Sequence, residues 1–267
     1  MILSNLHTHS TFSDGADSPA GLVETAVRLG LKSIGISDHC YTPCDPSYCM
    51  KEDAEVPYLE ELTRLKEVYR GRIEIAAGLE YDGFATPVNP SSYDYLIGDC
   101  HYLKVPSGYQ PIDETLPMQK ECIDQDFGGD PLAYAAHYYR TYTECTALHR
   151  PDILGHFDLA AKFGLMPEDD PAYRKIAVKA LRECLAVTPV FEVNTGAITR
   201  GVRQTPYPDT FLLEEALRCN ALPVLASDAH RAEHLTAHLE EAASLLRSVG
   251  FKTQIVYLEG KLREYPL

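Results

Sequence analysis

Short apolar runs alternate with longer amphipathic stretches from one end of the chain to the other. The short runs are rich in Ile, Val and Leu, which is typical of buried parallel strands. The predicted strands are residues 2–6, 33–37, 73–79, 95–97, 153–154, 190–193, 222–226 and, as a further candidate, 251–258. The longer stretches have the spacing of helices that bury one face. The predicted helices are residues 20–29, 56–70, 132–148, 172–187, 208–220 and 235–249.

Helix start signals support three of these helices. In each, a polar residue that can cap the helix is followed by proline, which is favoured at the first helical position. The pairs are Ser18-Pro19, Asp130-Pro131 and Asp170-Pro171. Residues 103–130, with several Pro and Gly, are predicted to form an irregular excursion. The repeated strand–helix order predicts an α/β protein with a mostly parallel sheet, either a (β/α) barrel or an open doubly wound sheet.

Composition and net charge limit the kinds of molecule that this protein is expected to bind. Hydrophobic residues make up 45% and charged residues 24% of the 267 positions, as in ordinary soluble globular proteins. The 24 Lys and Arg against 39 Asp and Glu give a formal charge of −15, which disfavours long nucleic acid as a partner. No apolar run approaches the length of a membrane span, and no signal peptide is visible. We therefore expect a single cytoplasmic domain over residues 1–267 with no membrane partner.

Histidines and acids recur where the predicted strands end. They are His7, His9, His39, Glu80, His101, His156, Asp228 and His230. Parallel barrels build their active sites at the carboxyl ends of strands. Residues two apart in an extended chain face the same side, so His7 and His9 can meet one ion. For each histidine alone a hydrogen-bonded structural role is the alternative, but the joint pattern favours metal binding.

The number and chemistry of these side chains indicate more than one ion. Imidazole and carboxylate together suit Zn, Fe or Mn. The set exceeds the four to six ligands of a single ion, so two or three ions bridged by a carboxylate are expected. Other histidines lie in predicted helices. For His234 and His238, four residues apart, a solvated helix face is favoured over a metal pair.

The strings around these side chains resemble motifs of the polymerase and histidinol phosphatase (PHP) family, most closely its histidinol-phosphate phosphatases. The resemblance runs in order over nearly the whole chain. The strings are His7-Thr8-His9-Ser10-Thr11-Phe12-Ser13-Asp14, Ser37-Asp38-His39, Gly78-Leu79-Glu80, Gly98-Asp99-Cys100-His101, Gly155-His156-Phe157-Asp158, Glu192-Val193-Asn194-Thr195 and Ser227-Asp228-Ala229-His230.

This resemblance implies a distorted (β/α)7 TIM-like barrel with a trinuclear metal centre at the carboxyl ends of its strands. It assigns His7, His9, Glu80 and Asp228 to a first ion, Glu80, His101 and His156 to a second, and Asp14, His39 and His230 to a third. Glu80 would then bridge two ions. Many relatives have histidine where this chain has Asp14, and an acid there is one of the known variants.

The implied activity is metal-dependent hydrolysis of a phosphate monoester, L-histidinol phosphate, in histidine biosynthesis. The alternatives are another small substrate, such as a nucleotide or an oligonucleotide end, and a non-catalytic metal-binding module. Divalent ions would stabilise the phosphoryl charge and lower the pKa of a bound water. Glu80 and Asp228 are expected to take part in catalysis. Asp38 is either an active-site acid or a residue that caps a turn.

Phosphate anchoring is expected from the loop after strand 190–193. The planar guanidinium group suits phosphate oxygens, and Arg200 and Arg203 lie in this loop, after Asn194. Relatives often carry an arginine here, but its ungapped match in this chain is Thr199. Either arginine is therefore a candidate, with Asn194 as a further substrate-binding residue.

An aromatic stripe on the helix 132–148 is predicted to pack in the core rather than form a substrate wall. Its members are Tyr134, Tyr138, Tyr139 and Tyr142. Since the chain has no Trp, tyrosines are the leading candidates for stacking on a substrate ring.

Overall fold

The computed structural model describes residues 2–267, in which strands and helices alternate. The strands are β1 (Ser4–Asn5), β2 (Ser33–Ile36), β3 (Glu74–Asp82), β4 (Tyr95–Asp99), β5 (Tyr102–Val105), β6 (Gly108–Pro111), β7 (Ile153–Leu154), β8 (Val190–Asn194), β9 (Leu222–Ala226), β10 (Thr253–Leu258) and β11 (Lys261–Pro266). The helices are α1 (Pro19–Leu29), α2 (Glu55–Val68), α3 (Leu116–Asp126), α4 (Pro131–His149), α5 (Pro171–Leu185), α6 (Gly196–Thr199), α7 (Thr210–Arg218) and α8 (Leu239–Val249). Every predicted strand and helix is present, with ends that shift by a few residues.

The main sheet curls into a barrel. Its strand order is β1-β2-β3-β4-β7-β8-β9-β10-β11, parallel from β1 to β10, with β11 antiparallel to β10. The segments after β1 and β9 meet where Thr8 pairs with Ala229, and the N–H of His9 donates to the Ala229 carbonyl at 2.9 Å. This contact closes the distorted (β/α)7 barrel. The barrel prediction is confirmed, and the open doubly wound alternative is excluded.

An apolar layer fills the barrel below the strand ends. Side chains alternate along β4, so Tyr95 and Ile97 both point inward. The layer consists of Leu6, Ala76, Tyr95, Ile97, Ile153, Val224, Ile255 and Tyr257. Gly78 gives Tyr95 its space, because a Cβ at this position would lie 2.3 Å from the ring. This packed layer supports the polar side chains that follow at the carboxyl ends.

The predicted helix caps are present. The side-chain oxygens of Ser18, Asp130 and Asp170 accept hydrogen bonds from backbone N–H groups of the first turn at 2.7–3.2 Å. Gly30 follows α1 with a φ of 80°, a left-handed conformation that glycine adopts without strain. In the described part of the chain, none of the helices combines the length and apolarity of a bilayer span.

The aromatic stripe of α4 lies in the core, as predicted. Its four tyrosines are almost completely buried. The hydroxyl of Tyr138 donates to the Phe157 carbonyl at 2.9 Å, and that of Tyr142 donates to the Gly155 carbonyl at 2.6 Å. These bonds satisfy the hydroxyls and fix α4 against the barrel.

Residues 103–130 leave the main sheet, as predicted, but the expectation that this excursion is irregular is wrong. This segment contains the hairpin β5–β6 and the helix α3. Pro106, Gly108 and Pro111 look like breakers in the sequence, but they lie at the turn and the end of the hairpin, where Gly108 has a φ of 128°. β5 has only four residues and β6 has no buried residue, so neither carries enough apolar pattern to be recognised, and the exposure of β11 explains why that strand is unpredicted.

The placement of His234 and His238 on one helix is also wrong. His234 ends a 3-10 helix, Ala232–His234, whereas His238 precedes α8 with a φ of 59°. The predicted helix 235–249 therefore begins only at Leu239. His234 and His238 therefore do not lie one turn apart on a helix, and the alternative that they form a helical metal-binding pair is excluded.

Candidate active site

The nine predicted metal ligands converge at the carboxyl ends of the barrel strands. They are His7, His9, Asp14, His39, Glu80, His101, His156, Asp228 and His230. Eight of them fall into three groups whose ligand atoms lie within 4.8 Å of one another, and Asp228 adjoins one of these groups. The groups overlap, because His9 and Glu80 each belong to two of them.

The first group surrounds one oxygen of Glu80. Its Oε2 lies 3.2 Å from His7 Nε2 and 3.3 Å from His9 Nε2. Asp228 Oδ1 lies 3.1 Å from His9 Nε2 and 3.7 Å from His7 Nε2. These are the four residues that the resemblance assigns to the first ion.

The second group faces the other oxygen of Glu80. Its Oε1 lies 3.0 Å from His156 Nε2 and 3.7 Å from His101 Nε2. An acid outside the predicted set, Asp99, belongs to the same group. Glu80 thus presents Oε2 to the first group and Oε1 to the second, as a bridging carboxylate requires, and His39 Nδ1 also lies 2.8 Å from Oε2.

The third group is nearer to solvent. Asp14 Oδ2 lies 3.2 Å from His230 Nε2, and Asp14 Oδ1 lies 3.8 Å from His39 Nε2 and 3.9 Å from His9 Nδ1. The side chain of Asp14 is 35% exposed, whereas that of His9 is fully buried. The third group therefore lies nearest to the mouth of the barrel, whereas the residues of the other two groups are all buried.

The donor atoms fit metal ions. Two ligands that each lie ~2.1 Å from one ion stand roughly 3.0–3.4 Å apart, and the shorter distances within the groups fall in this range. His7 Nε2 and both ring nitrogens of His9 are buried without a hydrogen-bond partner in residues 2–267. Since an unsatisfied buried polar group costs about 1–3 kcal/mol, ions at these positions would remove a substantial penalty.

Without metal, the electrostatics of the site favour the ligand form at His9 and Asp228, whereas neighbouring carboxylates outweigh burial and raise the pKa values of His7, His101, His156 and His230. Burial, together with His230 and His39, lowers the pKa of His9 to about 3, so this imidazole is neutral. Burial opposes ionisation of Asp228, but Arg200 and His7 outweigh it and hold the pKa of this carboxyl well below its usual value. Neutral imidazole and ionised carboxylate are the forms that bind metal.

The ligand groups line a cavity of about 490 Å³. Its volume suits a small molecule. Further wall residues are the cationic Lys162, Arg200 and Arg231, the acidic Asp45, Asp113 and Glu114, and the aromatic Tyr48 and Tyr102. The cavity therefore combines a metal-binding surface with cationic groups for an anion and with acidic and aromatic groups.

Comparison with known proteins identifies the family. The family described as PHP domain matches residues 5–196. The chain belongs to the PHP domain family. The histidinol-phosphatase of Bacillus subtilis is 25% identical over 252 residues, which cover 85% of this chain and 92% of that protein. A provisionally named histidinol-phosphatase of Deinococcus radiodurans is 27% identical over 261 residues, which cover 94% and 95% respectively.

A solved structure shares the fold of this PHP domain. Histidinol phosphate phosphatase of Lactococcus lactis, complexed with zinc, L-histidinol and phosphate, aligns with a TM-score of 0.72. Its sequence is 20% identical, and the alignment covers 98% of both chains. The likeness extends over the whole barrel.

The two candidate arginines of this PHP domain have different surroundings. Arg200 lines the cavity, and its Nη2 donates to Asp228 Oδ2 at 2.8 Å. Arg203 is buried, donates from Nη1 to the Ala161 carbonyl at 3.0 Å, and lies over the ring of Tyr207. Arg200 is therefore placed to meet a ligand, whereas Arg203 contacts the protein.

Asn194 and Glu192 lie behind the metal ligands. Asn194 Oδ1 accepts from the N–H of Gly196 at 2.8 Å, and its Nδ2 donates to Glu192 Oε1 at 2.9 Å. This geometry gives no support to Asn194 as a substrate-binding residue. Glu192 lies 2.7 Å from His7 Nδ1 and accepts from the His156 N–H at 2.5 Å, so it orients two ligands. The alternation of side chains along β8 could have revealed this role.

Asp38 fixes the loop that carries Asp14. It accepts hydrogen bonds from the backbone N–H and the hydroxyl of both Ser10 and Ser13, at 2.5–3.1 Å. Both of its oxygens are engaged in the loop. The geometry thus favours the turn-capping alternative over an active-site acid.

Sequence reasoning also missed three further site residues, Tyr48, Tyr102 and Asp99. Tyr48 and Tyr102 stack with ring centroids 6.1 Å apart, and the Tyr102 hydroxyl donates to Asp45 Oδ2 at 2.6 Å. They come from a loop and from the unpredicted hairpin, so the linear sequence held no signal for their meeting. Asp99 is the third case. Burial, opposed by His101 and reinforced by Glu80, raises its pKa to about 7.

Proposed function

We propose that this PHP domain is a metal-dependent phosphatase that hydrolyses L-histidinol phosphate to L-histidinol and phosphate. The observation that carries the proposal is the convergence of three ligand groups and Arg200 on one cavity. The relatives supply the substrate, since the Bacillus subtilis protein is named histidinol-phosphatase and the Lactococcus lactis structure contains L-histidinol and phosphate.

The metal content that we propose is two or three divalent ions of Zn, Fe or Mn. His7, His9, Glu80 and Asp228 would hold the first ion, Glu80, His101 and His156 the second, and Asp14, His39 and His230 the third. When bound, the ions supply positive charge for the phosphoryl oxygens and activate a water for attack. The ionised carboxylates of Glu80 and Asp228 keep the charge of such a centre in balance.

The chain's own cations complete the phosphate site. Hydrolysis of a phosphate monoester spreads charge over the phosphoryl oxygens, so catalysis depends on positioning and electrostatic stabilisation. The bond to Asp228 holds the guanidinium of Arg200 at the edge of the ligand groups. Its other N–H groups are available for phosphate oxygens, because guanidinium has five donors.

The remaining wall of the cavity suits the alcohol. L-histidinol carries an ammonium group and an imidazole. Asp113 is paired with Lys162 at 2.7 Å, whereas Glu114 forms no ion pair within residues 2–267. We propose that Glu114 meets the ammonium group and that Tyr48 and Tyr102 offer aromatic contact to the imidazole.

A panel of esters tests the substrate. We would compare kcat/KM of the metal-loaded protein for L-histidinol phosphate, a mononucleotide, p-nitrophenyl phosphate and bis-p-nitrophenyl phosphate. We expect L-histidinol phosphate to lead by at least about 10-fold. A higher kcat/KM for the mononucleotide would show that the substrate is a nucleotide and not L-histidinol phosphate. A lead for the diester, or no hydrolysis by protein with full metal content, would contradict the proposal.

Replacing Arg200 tests the phosphate anchor. A charge-assisted hydrogen bond contributes ~1.5–3 kcal/mol, so Arg200→Ala should lower kcat/KM by about 10- to 150-fold. Arg203→Ala is the control: it should lower the melting temperature but leave kcat/KM within about threefold. Metal content is measured in parallel by elemental analysis. Unchanged metal content shows that the variant has lost a phosphate contact and has not displaced Asp228 from its metal ion. Equal kcat/KM in the wild type and Arg200→Ala would show that other residues bind phosphate.

A further inference from the structure

Asp99 lies in the second ligand group but outside the set of nine ligands. It is the last residue of β4, and its side chain is fully buried. Because side chains alternate along the strand, Asp99 follows Tyr95 and Ile97 on the inner face of the barrel. Its register partner on β3 is Asp82, two residues beyond Glu80. The strand thus directs this carboxylate to the level of the metal centre.

The carboxylate of Asp99 is buried without hydrogen bonds. Neither carboxylate oxygen has a hydrogen-bond partner in residues 2–267. Oδ1 lies 3.2 Å from His101 Nδ1, and the carboxyl group adjoins that of Glu80. Two adjacent carboxylates repel each other, and burial of an uncompensated charge is costly. A cation between them would remove both penalties.

The neighbouring Asp82 provides a contrast. Its Oδ1 accepts from the N–H of Phe84 at 2.8 Å, and its Oδ2 accepts from the N–H of His101 at 2.7 Å. Asp82 therefore holds the backbone that carries His101. Asp99, one strand away, is equally buried but accepts no hydrogen bond in residues 2–267, and its Oδ1 faces His101 Nδ1 at 3.2 Å.

We propose that Asp99 is a direct ligand of the second ion. The ligand atoms of Glu80, Asp99, His101 and His156 lie within 4.8 Å of one another, and all four residues are buried. This inference rests on the proposed metal centre but not on the substrate. With two carboxylates and two imidazoles, the second ion has a harder ligand set than three ligands would give, which shifts the preference of this position towards Mn.

Metal binding by Asp99→Asn tests the proposal. We expect this variant to hold one ion fewer per chain by elemental analysis, or to bind one Mn²⁺ at least about 10-fold more weakly in titrations. Because the variant removes a repulsion, its metal-free melting temperature should be equal to that of the wild type or higher. Addition of Mn²⁺ should then raise that temperature less than in the wild type. Asp45→Asn, at a cavity carboxylate away from the ligand groups, should behave as the wild type.

Two results would overturn the assignment. One is unchanged ion number and affinity in Asp99→Asn. The other is a lower metal-free melting temperature with an unchanged rise on adding Mn²⁺, which indicates a purely structural role.

A second variant gives a direct spectroscopic readout. Asp99→Cys loaded with Co²⁺ should show a thiolate-to-cobalt charge-transfer band that the Co²⁺-loaded wild type lacks. A variant that binds Co²⁺ without this band contradicts direct ligation. None of these measurements uses the substrate, so they are independent of whether L-histidinol phosphate is hydrolysed.

Discussion

Glu80→Gln should lose metal and hydrolytic activity together. Glu80 presents its two oxygens to two ligand groups, with His156 Nε2 at 3.0 Å from Oε1 and His7 Nε2 at 3.2 Å from Oε2. Glutamine keeps the size and one acceptor oxygen but removes the charge that would offset two cations. Residues that merely orient a ligand affect metal affinity or activity by about 10- to 100-fold, so we expect a loss of at least about 100-fold in kcat.

Elemental analysis and phosphate release from the same preparation measure both effects. Glu114→Gln is the matched control, because it alters a carboxylate of the same cavity outside the ligand groups. It should retain full metal content. A Glu80→Gln variant with full metal content and near-normal turnover would show that Glu80 does not bridge ions.

Removal of the metal should abolish activity and lower the melting temperature. An ion that binds only the folded state stabilises it by about 2.7 kcal/mol when present at 100 times its Kd. For a protein of this size, 1 kcal/mol corresponds to roughly 2–4 °C, so chelation should lower the melting temperature by about 5–10 °C for each such site. The buried, hydrogen-bond-free nitrogens of His7 and His9, as judged within residues 2–267, would lose their partners.

Stoichiometry is the complementary measurement. Protein prepared without chelator should contain more than one transition-metal ion per chain. Differential scanning fluorimetry before and after chelation, with re-addition of Mn²⁺ as the control, gives the stability change. At most one ion per chain, or a melting temperature that chelation leaves unchanged, would contradict a multinuclear centre.

Local sequence signals explain what could be predicted. The caps at Ser18, Asp130 and Asp170 depend on neighbouring residues, so their sequence signature suffices. The ends of strands can also be recognised from neighbouring residues, and in a parallel barrel all carboxyl ends of the strands lie on the same side. This is why eight of the nine predicted ligands, scattered over the chain, could be expected to meet, whereas Asp14 is indicated only by the family resemblance.

Tertiary contacts explain what could not be predicted. The alternation along β8 indicates the side to which Glu192 points but not that its partners are His7 and His156, and the place of Asp99 in a ligand group depends on its burial beside Glu80. Asp38 looks like an active-site acid because it precedes His39, but Ser10 and Ser13 occupy its oxygens. In each case the chemistry is set by partners distant in sequence.

Phosphate release from L-histidinol phosphate tests the central claim most directly. The measurement compares the wild type as prepared, after complete removal of metal, and after reconstitution with Mn²⁺ or Zn²⁺. A metal-dependent phosphatase should release phosphate as prepared, lose this activity with the metal and regain it on reconstitution. Failure of the metal-replete protein to hydrolyse L-histidinol phosphate, or hydrolysis that persists unchanged without metal, would contradict the account.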